Sequence, residues 1–107
     1  PKALLSGLLV CARCGSPMLP KARRGGAYDY ICRAKLRGGT GACPCQNLSG
    51  ADTDALVLSR VLEHLPGKYK ALAGAALNRE EQRALCRAML QGCRWDGEAL
   101  TLTLCRL

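Results

Sequence analysis

Apolar positions change their spacing twice along this chain. Leu4 to Val10 (Leu-Leu-Ser-Gly-Leu-Leu-Val) is a short apolar run and reads as an extended lead-in. Met18 to Lys21 and Tyr28 to Cys32 predict the two strands of a hairpin, closed by the basic, glycine-containing loop at 22–26. Tyr28, Asp29, Tyr30 and Ile31 alternate as a strand does, and Cys32 ends it. Residues 33–42 are basic, contain three glycines and predict a flexible loop. From about residue 49 the spacing becomes helical. Leu58, Val61, Leu62 and Leu65 share one face of a helix predicted over 52–65, with Ser49 and Asp52 as candidate N-caps and Pro66-Gly67 as its stop. Residues 68–77 form a poorly specified link. Asn78 with Glu81 three residues on predicts a capping box and a second helix to about Leu90, ended by Gly92, with Leu85 and Met89 on one face. Arg94-Trp95, then Asp96-Gly97, then the alternating Leu100, Leu102 and Leu104 predict a closing hairpin.

The expected class is therefore α+β: a β-ribbon over 1–50, then a lobe over 51–107 made of two α-helices and a small C-terminal β-hairpin. The 107 residues suffice for one domain or two small lobes. With no Phe and one Trp, the burying falls to Leu, Ala and Val. The apolar runs are too short to span a bilayer, and no secretory leader is visible. The chain opens on Pro1 rather than Met, as a piece of a longer protein would.

Eight cysteines in so short a chain fit either a disulfide scaffold or a metal site. Spacing favours metal. Cys11-Ala12-Arg13-Cys14 is followed at once by Gly15, the form of a knuckle whose turn aims two thiolates and several backbone N–H groups at one ion. A redox CxxC would open a helix after a buried strand; Gly15-Ser16-Pro17 is turn chemistry instead. Cys11 and Cys14 supply one arm of the site. Cys32 stands at the end of the Tyr-rich strand, where the second arm is expected. Cys43 and Cys45 compete for the fourth place, with Cys43 favoured, since two cysteines one residue apart rarely bind the same ion. Four thiolates leave no open position, so the ion, Zn2+, is structural. Cys86, Cys93 and Cys105 read as small apolar groups. His64, the only histidine, reads as a helix-terminal residue without a nucleophile beside it, and no catalytic arrangement stands out.

Charge adds a partner. The formal net charge is +8, and it is one-sided. Residues 1–50 hold eight basic side chains against the single acid Asp29, whereas residues 51–107 hold eight against seven. Four zinc-bound thiolates would lower the first half from +7 to about +5, because the ligands deprotonate on binding. A positive face of this kind suits a polyanion, most often nucleic acid. The candidate contacts are Arg13, Lys21, Arg23, Arg24, Arg33, Lys35 and Arg37, with arginine suited to paired hydrogen bonds on guanine. The alternative is a solvated face on a zinc module that mediates subunit contacts, suggested by the nearly neutral, Leu- and Ala-rich second half. Tyr28 and Tyr30 give only weak support for base stacking, because one should face the core.

The residues also carry a family resemblance. Leu5-Ser6-Gly7-Leu8-Leu9, Cys11-x-x-Cys14-Gly15, the Tyr-rich strand ending in Cys32, and Cys43-Pro44 before an amphipathic helix resemble the recombinase zinc β-ribbon of large serine recombinases. Leu77-Asn78-Arg79-Glu80-Glu81-Gln82 and Trp95-Asp96-Gly97-Glu98 are similar to the end of the same region. The resemblance implies zinc ligands at Cys11, Cys14, Cys32 and Cys43, and its Cys-Pro match favours Cys43 over Cys45. It also implies double-stranded DNA as partner, at the attachment sites where these enzymes integrate and excise phage and mobile elements. A cytoplasmic bacterial or phage-encoded protein, associated with the nucleoid, is expected, with self-association as part of a recombinase dimer or tetramer and no membrane or small-molecule partner. The family's nucleophilic serine belongs to a separate N-terminal domain that nothing here matches, so no catalysis is expected of these residues. One departure stands out: the family places a long coiled coil between the two helices, and here residues 66–78 fill that gap.

Overall fold

The central hairpin sets a mostly buried strand, with Tyr28, Tyr30, Ile31 and Cys32 inside, against one that buries only Met18. β2 (Met18–Ala22) and β3 (Tyr28–Cys32) pair antiparallel, Met18 opposite Cys32 and Ala22 opposite Tyr28, joined through a 3-10 turn at Arg24–Gly26. The computed structural model describes residues 3–39, 41–67 and 77–105, so the link read at 68–77 lies outside it except for Leu77.

The lead-in is only partly extended. Leu8 and Leu9 both donate backbone N–H bonds to Leu5 O, at 2.9 and 3.1 Å, so the run turns before entering β1 (Leu9–Cys11). Residues 33–42 also differ from the expected loop: Arg33–Gly38 form a short helix, α1. Ala, Lys, Leu and Arg are strong helix formers, and the glycines act only afterwards. Gly39, at φ +74°, closes the helix by donating to Lys35 O at 2.7 Å.

The short strand β4 (Leu48–Ser49) pairs with β3 and feeds directly into α2 (Gly50–His64). Ser49 occupies the N-cap position without a side-chain cap bond, and Asp52 lies in the first turn. The buried stripe of α2 is Gly50, Thr53, Asp54, Val57 and Val61, while Leu58, Leu62 and Leu65 are only partly covered. The helix is thus rotated from the face its leucines suggest. Its N-terminal half lies against β3, and a Cβ at Gly50 would overlap the Tyr28 ring.

α3 (Arg79–Met89) has the predicted capping box. Glu81 N–H donates to Asn78 Oδ1 at 2.8 Å, and Asn78 N–H donates to Glu81 Oε1 at 3.1 Å. Its buried residues are Cys86 and Met89, with Leu85 half-buried. Gly92 does not end it. β5 (Leu90–Trp95) starts at the next residue, and Gly92 lies inside that strand at a register shift opposite Thr103. β6 (Leu100–Leu104) shows the expected half-buried leucine face. The connection is a four-residue loop, in which the Asp96 carboxylate accepts the N–H groups of Glu98 and Ala99 at 2.8 and 2.7 Å. The Ala99 amide, then that of Glu98, hold the carboxyl below its usual range.

Two three-stranded sheets result, ordered β1-β5-β6 and β2-β3-β4. β1 pairs parallel with β5, Leu9 beside Cys93 and Cys11 beside Trp95. One core joins both halves: Leu4, Leu5, Leu9, Met18 and Tyr30 pack with Val57, Val61, Cys86, Met89 and Cys93.

Candidate metal centre and nucleic-acid interface

The metal centre is assembled where the ends of β1 and β3 meet. Cys11 ends β1 and Cys14 closes the knuckle turn, in which Gly15 N–H donates to Cys11 O at 2.8 Å and Cys11 N–H to Ser16 O at 2.8 Å. Gly15 has φ +77°, the left-handed conformation that glycine adopts without steric cost. Cys32 ends β3, and Cys43 returns from the glycine-rich stretch after α1.

The four sulfurs of Cys11, Cys14, Cys32 and Cys43 all lie within 4.8 Å of one another. The Cys11–Cys43 pair is 3.8 Å apart and the Cys14–Cys32 pair 3.3 Å. A zinc about 2.3 Å from each of four tetrahedral sulfurs would set them about 3.8 Å apart. The cluster therefore fits one zinc, and every cysteine in the chain is a free thiol. Polar hydrogens point at these sulfurs as a bound dianionic zinc–thiolate unit requires. Ser16 offers its hydroxyl and amide to Cys14, Lys35 and Ala34 offer amides to Cys32, and Cys45 offers its amide to Cys43.

The thiols differ before a metal acts on them. The Ser16 hydroxyl, aided by the Ser16 amide and Cys32, lowers exposed Cys14 to about 6. Burial pushes Cys32 up to about 12. At Cys43 the Cys45 amide pulls downward, but burial and the neighbouring thiols of Cys11 and Cys14 outweigh it and raise the group. Cys14 is thus the thiolate ready at neutral pH, and zinc must displace protons from the buried sites.

Cys45 stands outside the four. It is buried, and its sulfur contacts Trp95 O at 3.9 Å. The C-terminal loop braces both arms of the centre. Ala12 N–H donates to Trp95 O at 2.9 Å, Arg13 Nε to Asp96 O at 2.6 Å, and Trp95 Nε1 to Gln46 O at 2.8 Å. Cys86 and Cys93 are core thiols that burial raises to about 11 and about 12. Among the described residues no second group of metal-ligating side chains converges. His64 Nε2 bonds Cys105 O at 2.7 Å.

The basic residues divide into two sets. Arg13 is tied to Asp96 O, Arg23 pairs with Asp29 at 3.1 Å, and Lys35 Nζ donates to Cys45 O at 3.1 Å and Asn47 Oδ1 at 3.2 Å. These three hold the scaffold. Among the described residues, the side chains of Lys21, Arg24, Arg33 and Arg37 have no hydrogen-bond or ion-pair partner. Lys21 and Arg24 lie at the hairpin tip; Arg33 and Arg37 stand four apart on α1, on one side of it.

Sequence reasoning missed a buried anchor beside this centre. The Asp54 carboxylate, 2% exposed, accepts the Tyr30 hydroxyl at 2.5 Å, the Leu4 N–H at 3.1 Å and the Tyr28 hydroxyl. Tyr30 Oη in turn accepts the Leu5 N–H at 2.9 Å. Burial, then the bond to Asp54, raises Tyr28 to about 12, and the same causes raise Tyr30. The available signal was the spacing of Gly50, Asp54, Val57 and Val61 on one helix face.

Two antiparallel arms around a four-cysteine cluster define a zinc ribbon, a module whose one ion is structural. Residues 4–62 match the recombinase zinc beta ribbon domain, and the chain belongs to that family. Two solved structures share its fold. One comes from work on the sequence requirements of the Listeria innocua prophage attP site; it is 18% identical, with TM-score 0.70, over 97% of this chain and 43% of its own. The other is a crystal structure of an LSR–DNA complex, 16% identical, with TM-score 0.68, over 97% of this chain and 51% of its own. The chain thus spans about half, or less, of the structures it matches. No curated protein matches the sequence. No helix among the described residues is long and apolar enough to cross a membrane.

Proposed function

We propose that this chain is the zinc-stabilised, double-stranded-DNA-binding domain of a site-specific serine recombinase, recognising attachment-site DNA and performing no catalysis itself. Cys11, Cys14, Cys32 and Cys43 hold the ion. Lys21, Arg24, Arg33 and Arg37 contact phosphates or base edges. Arg13, Arg23 and Lys35 keep the knuckle, hairpin and second arm in place and join the contact surface only by exchanging present partners. The carrying observation is the unpaired basic set on two elements that the metal centre fixes, within a recombinase zinc ribbon. Support for DNA as partner also comes from the related LSR–DNA complex.

Replacing Arg24 and Arg37 with alanine should weaken duplex binding at least roughly tenfold and flatten the salt slope by about 2, at about 0.9 per phosphate contact. Arg23→Ala should leave duplex affinity and salt slope nearly unchanged, because Asp29 already occupies that guanidinium, in a half-exposed pair that is individually weak. Fluorescence anisotropy across a salt series checks both. Equal affinity and slope in wild type and the double variant would remove these arginines from the interface.

A groove between α2 and β6, lined by Leu56, Leu100, Leu102 and Leu104 together with Arg60, Glu63 and His64, favours a second reading, a module that also mediates subunit contacts. Light scattering over a concentration series tests it: a strict monomer that binds DNA disfavours that reading.

A further inference from the structure

β6 ends its sheet with an open edge. We propose that a second copy of this chain adds its own β6 to that edge, antiparallel and centred on Leu102, to form a two-fold dimer. This dimer gives the subunit-contact reading its partner and rests on that reading.

In the sheet ordered β1-β5-β6, β6 is terminal, and among the described residues no strand pairs with its far side. The two ends of the strand fix where its backbone groups point. Ala99 O accepts from Asp96 N–H, just after β5, at 3.3 Å. Cys105 N–H donates to Met89 O, just before β5, at 2.7 Å. Directions alternate along a strand. Thr101 and Thr103 therefore turn their N–H and C=O groups to β5, and Leu100, Leu102 and Leu104 turn theirs to the open edge.

Proteins commonly blunt such an edge with a charge, a proline or a bulge. Leu-Thr-Leu-Thr-Leu has no charge and no proline, and the register shift of this pair puts its extra residue in β5. The five residues also read the same in both directions. Antiparallel pairing centred on Leu102 sets Leu102 opposite the partner's Leu102, Leu100 opposite the partner's Leu104, and Thr101 opposite the partner's Thr103. The outward-facing groups then meet in register, and each leucine pair exchanges two hydrogen bonds. Matched aliphatic and threonine pairs add to this across the junction. Such self-complementarity favours a second copy over a foreign strand.

The side chains agree with that partner. The leucines lie half-buried on one face of β6 and the threonines are exposed on the other. The leucine face lines the groove against α2, beside Leu56, which is 48% exposed. A second β6 extends that apolar face and covers Leu56. The groove also holds Arg60 and Glu63, one charge of each sign, so two copies meet there without net repulsion.

So short a junction should give a weak dimer, with a dissociation constant on the order of 10–100 μM. Sedimentation velocity of the zinc-loaded chain without DNA, over a concentration series, measures it. Thr101→Glu/Thr103→Glu sets like charges opposite each other across the junction and should raise that constant at least roughly tenfold. Thr101→Glu/Thr103→Lys sets opposite charges there and should dimerise at least as tightly as wild type. Both variants place the same glutamate beside Arg94 of β5, so the fold is equally supported in each, and zinc content checks it. A wild type that stays monomeric up to about 1 mM overturns the pairing together with the subunit-contact reading. A wild-type dimer with equal constants in the two variants overturns the β6 pairing alone.

Discussion

Cys14→Ser is expected to abolish stoichiometric zinc and unfold the ribbon over residues 11–45. Cys14 is exposed, so the loss of its sulfur removes almost no core packing. It is also the thiol held lowest, at about 6 by Ser16, and thus the site's readiest thiolate. Structural zinc contributes on the order of 10–16 kcal/mol in small fingers, and loss of one of four ligands should forfeit on the order of half of that. α1 buries no residue and β2 only Met18, so these elements depend most on the ion. Trp95 provides the readout, because it is the only tryptophan and bridges the two arms through Ala12 and Gln46. Its emission should shift to the red on the substitution, or when wild type meets a strong chelator. An unchanged spectrum and melting curve would show a ribbon that stands without metal.

Asp54→Ala is expected to cost about 3–5 kcal/mol, since each orphaned buried donor costs roughly 1–3 kcal/mol and the costs are not fully additive. Three donors converge on that carboxylate from two segments of the chain: Leu4 before β1, and Tyr28 and Tyr30 on β3. The substitution leaves all three donors facing an apolar side chain and unties α2 from β3 and from the segment before β1. Asp54→Asn should cost less, because one acceptor oxygen remains. Tyr28 adds a pH signature. Its folded value of about 12 lies above the ordinary 10.0. Its contribution is therefore complete below pH 10.0 and is lost as pH rises toward about 12. Urea denaturation of the zinc-loaded protein measures the effect. A loss below about 1 kcal/mol, the net worth of one ordinary hydrogen bond, would show that the network is incidental.

The sequence was most legible where a local rule applied. Alternation around Tyr28–Cys32 marked β3, Asn78 with Glu81 marked the start of α3, and the CxxC-Gly knuckle marked the first arm. The helix at Arg33–Gly38 was obscured because three nearby glycines suggested a loop, although the five residues before Gly38 carry no helix breaker. The parallel pairing of Leu9–Cys11 with Cys93–Trp95 joins segments more than 80 residues apart and leaves no local pattern. Asp54 was hidden for a related reason. An acid on a helix reads as a solvated side chain until two tyrosines and a backbone amide are brought to it. Basic composition identified a charged surface, but only the structure separated Arg23, Lys35 and Arg13, which hold the scaffold, from Lys21, Arg24, Arg33 and Arg37, whose side chains have no partner among the described residues.

Duplex DNA binding by zinc-loaded and chelator-treated protein, over one salt series, decides whether the metal-held ribbon is a DNA-binding surface. The loaded protein should bind at low salt, with affinity falling steeply as salt rises, and the treated protein should lose that binding. A loaded protein that fails to bind at low salt, or that binds with a flat salt response, would contradict it.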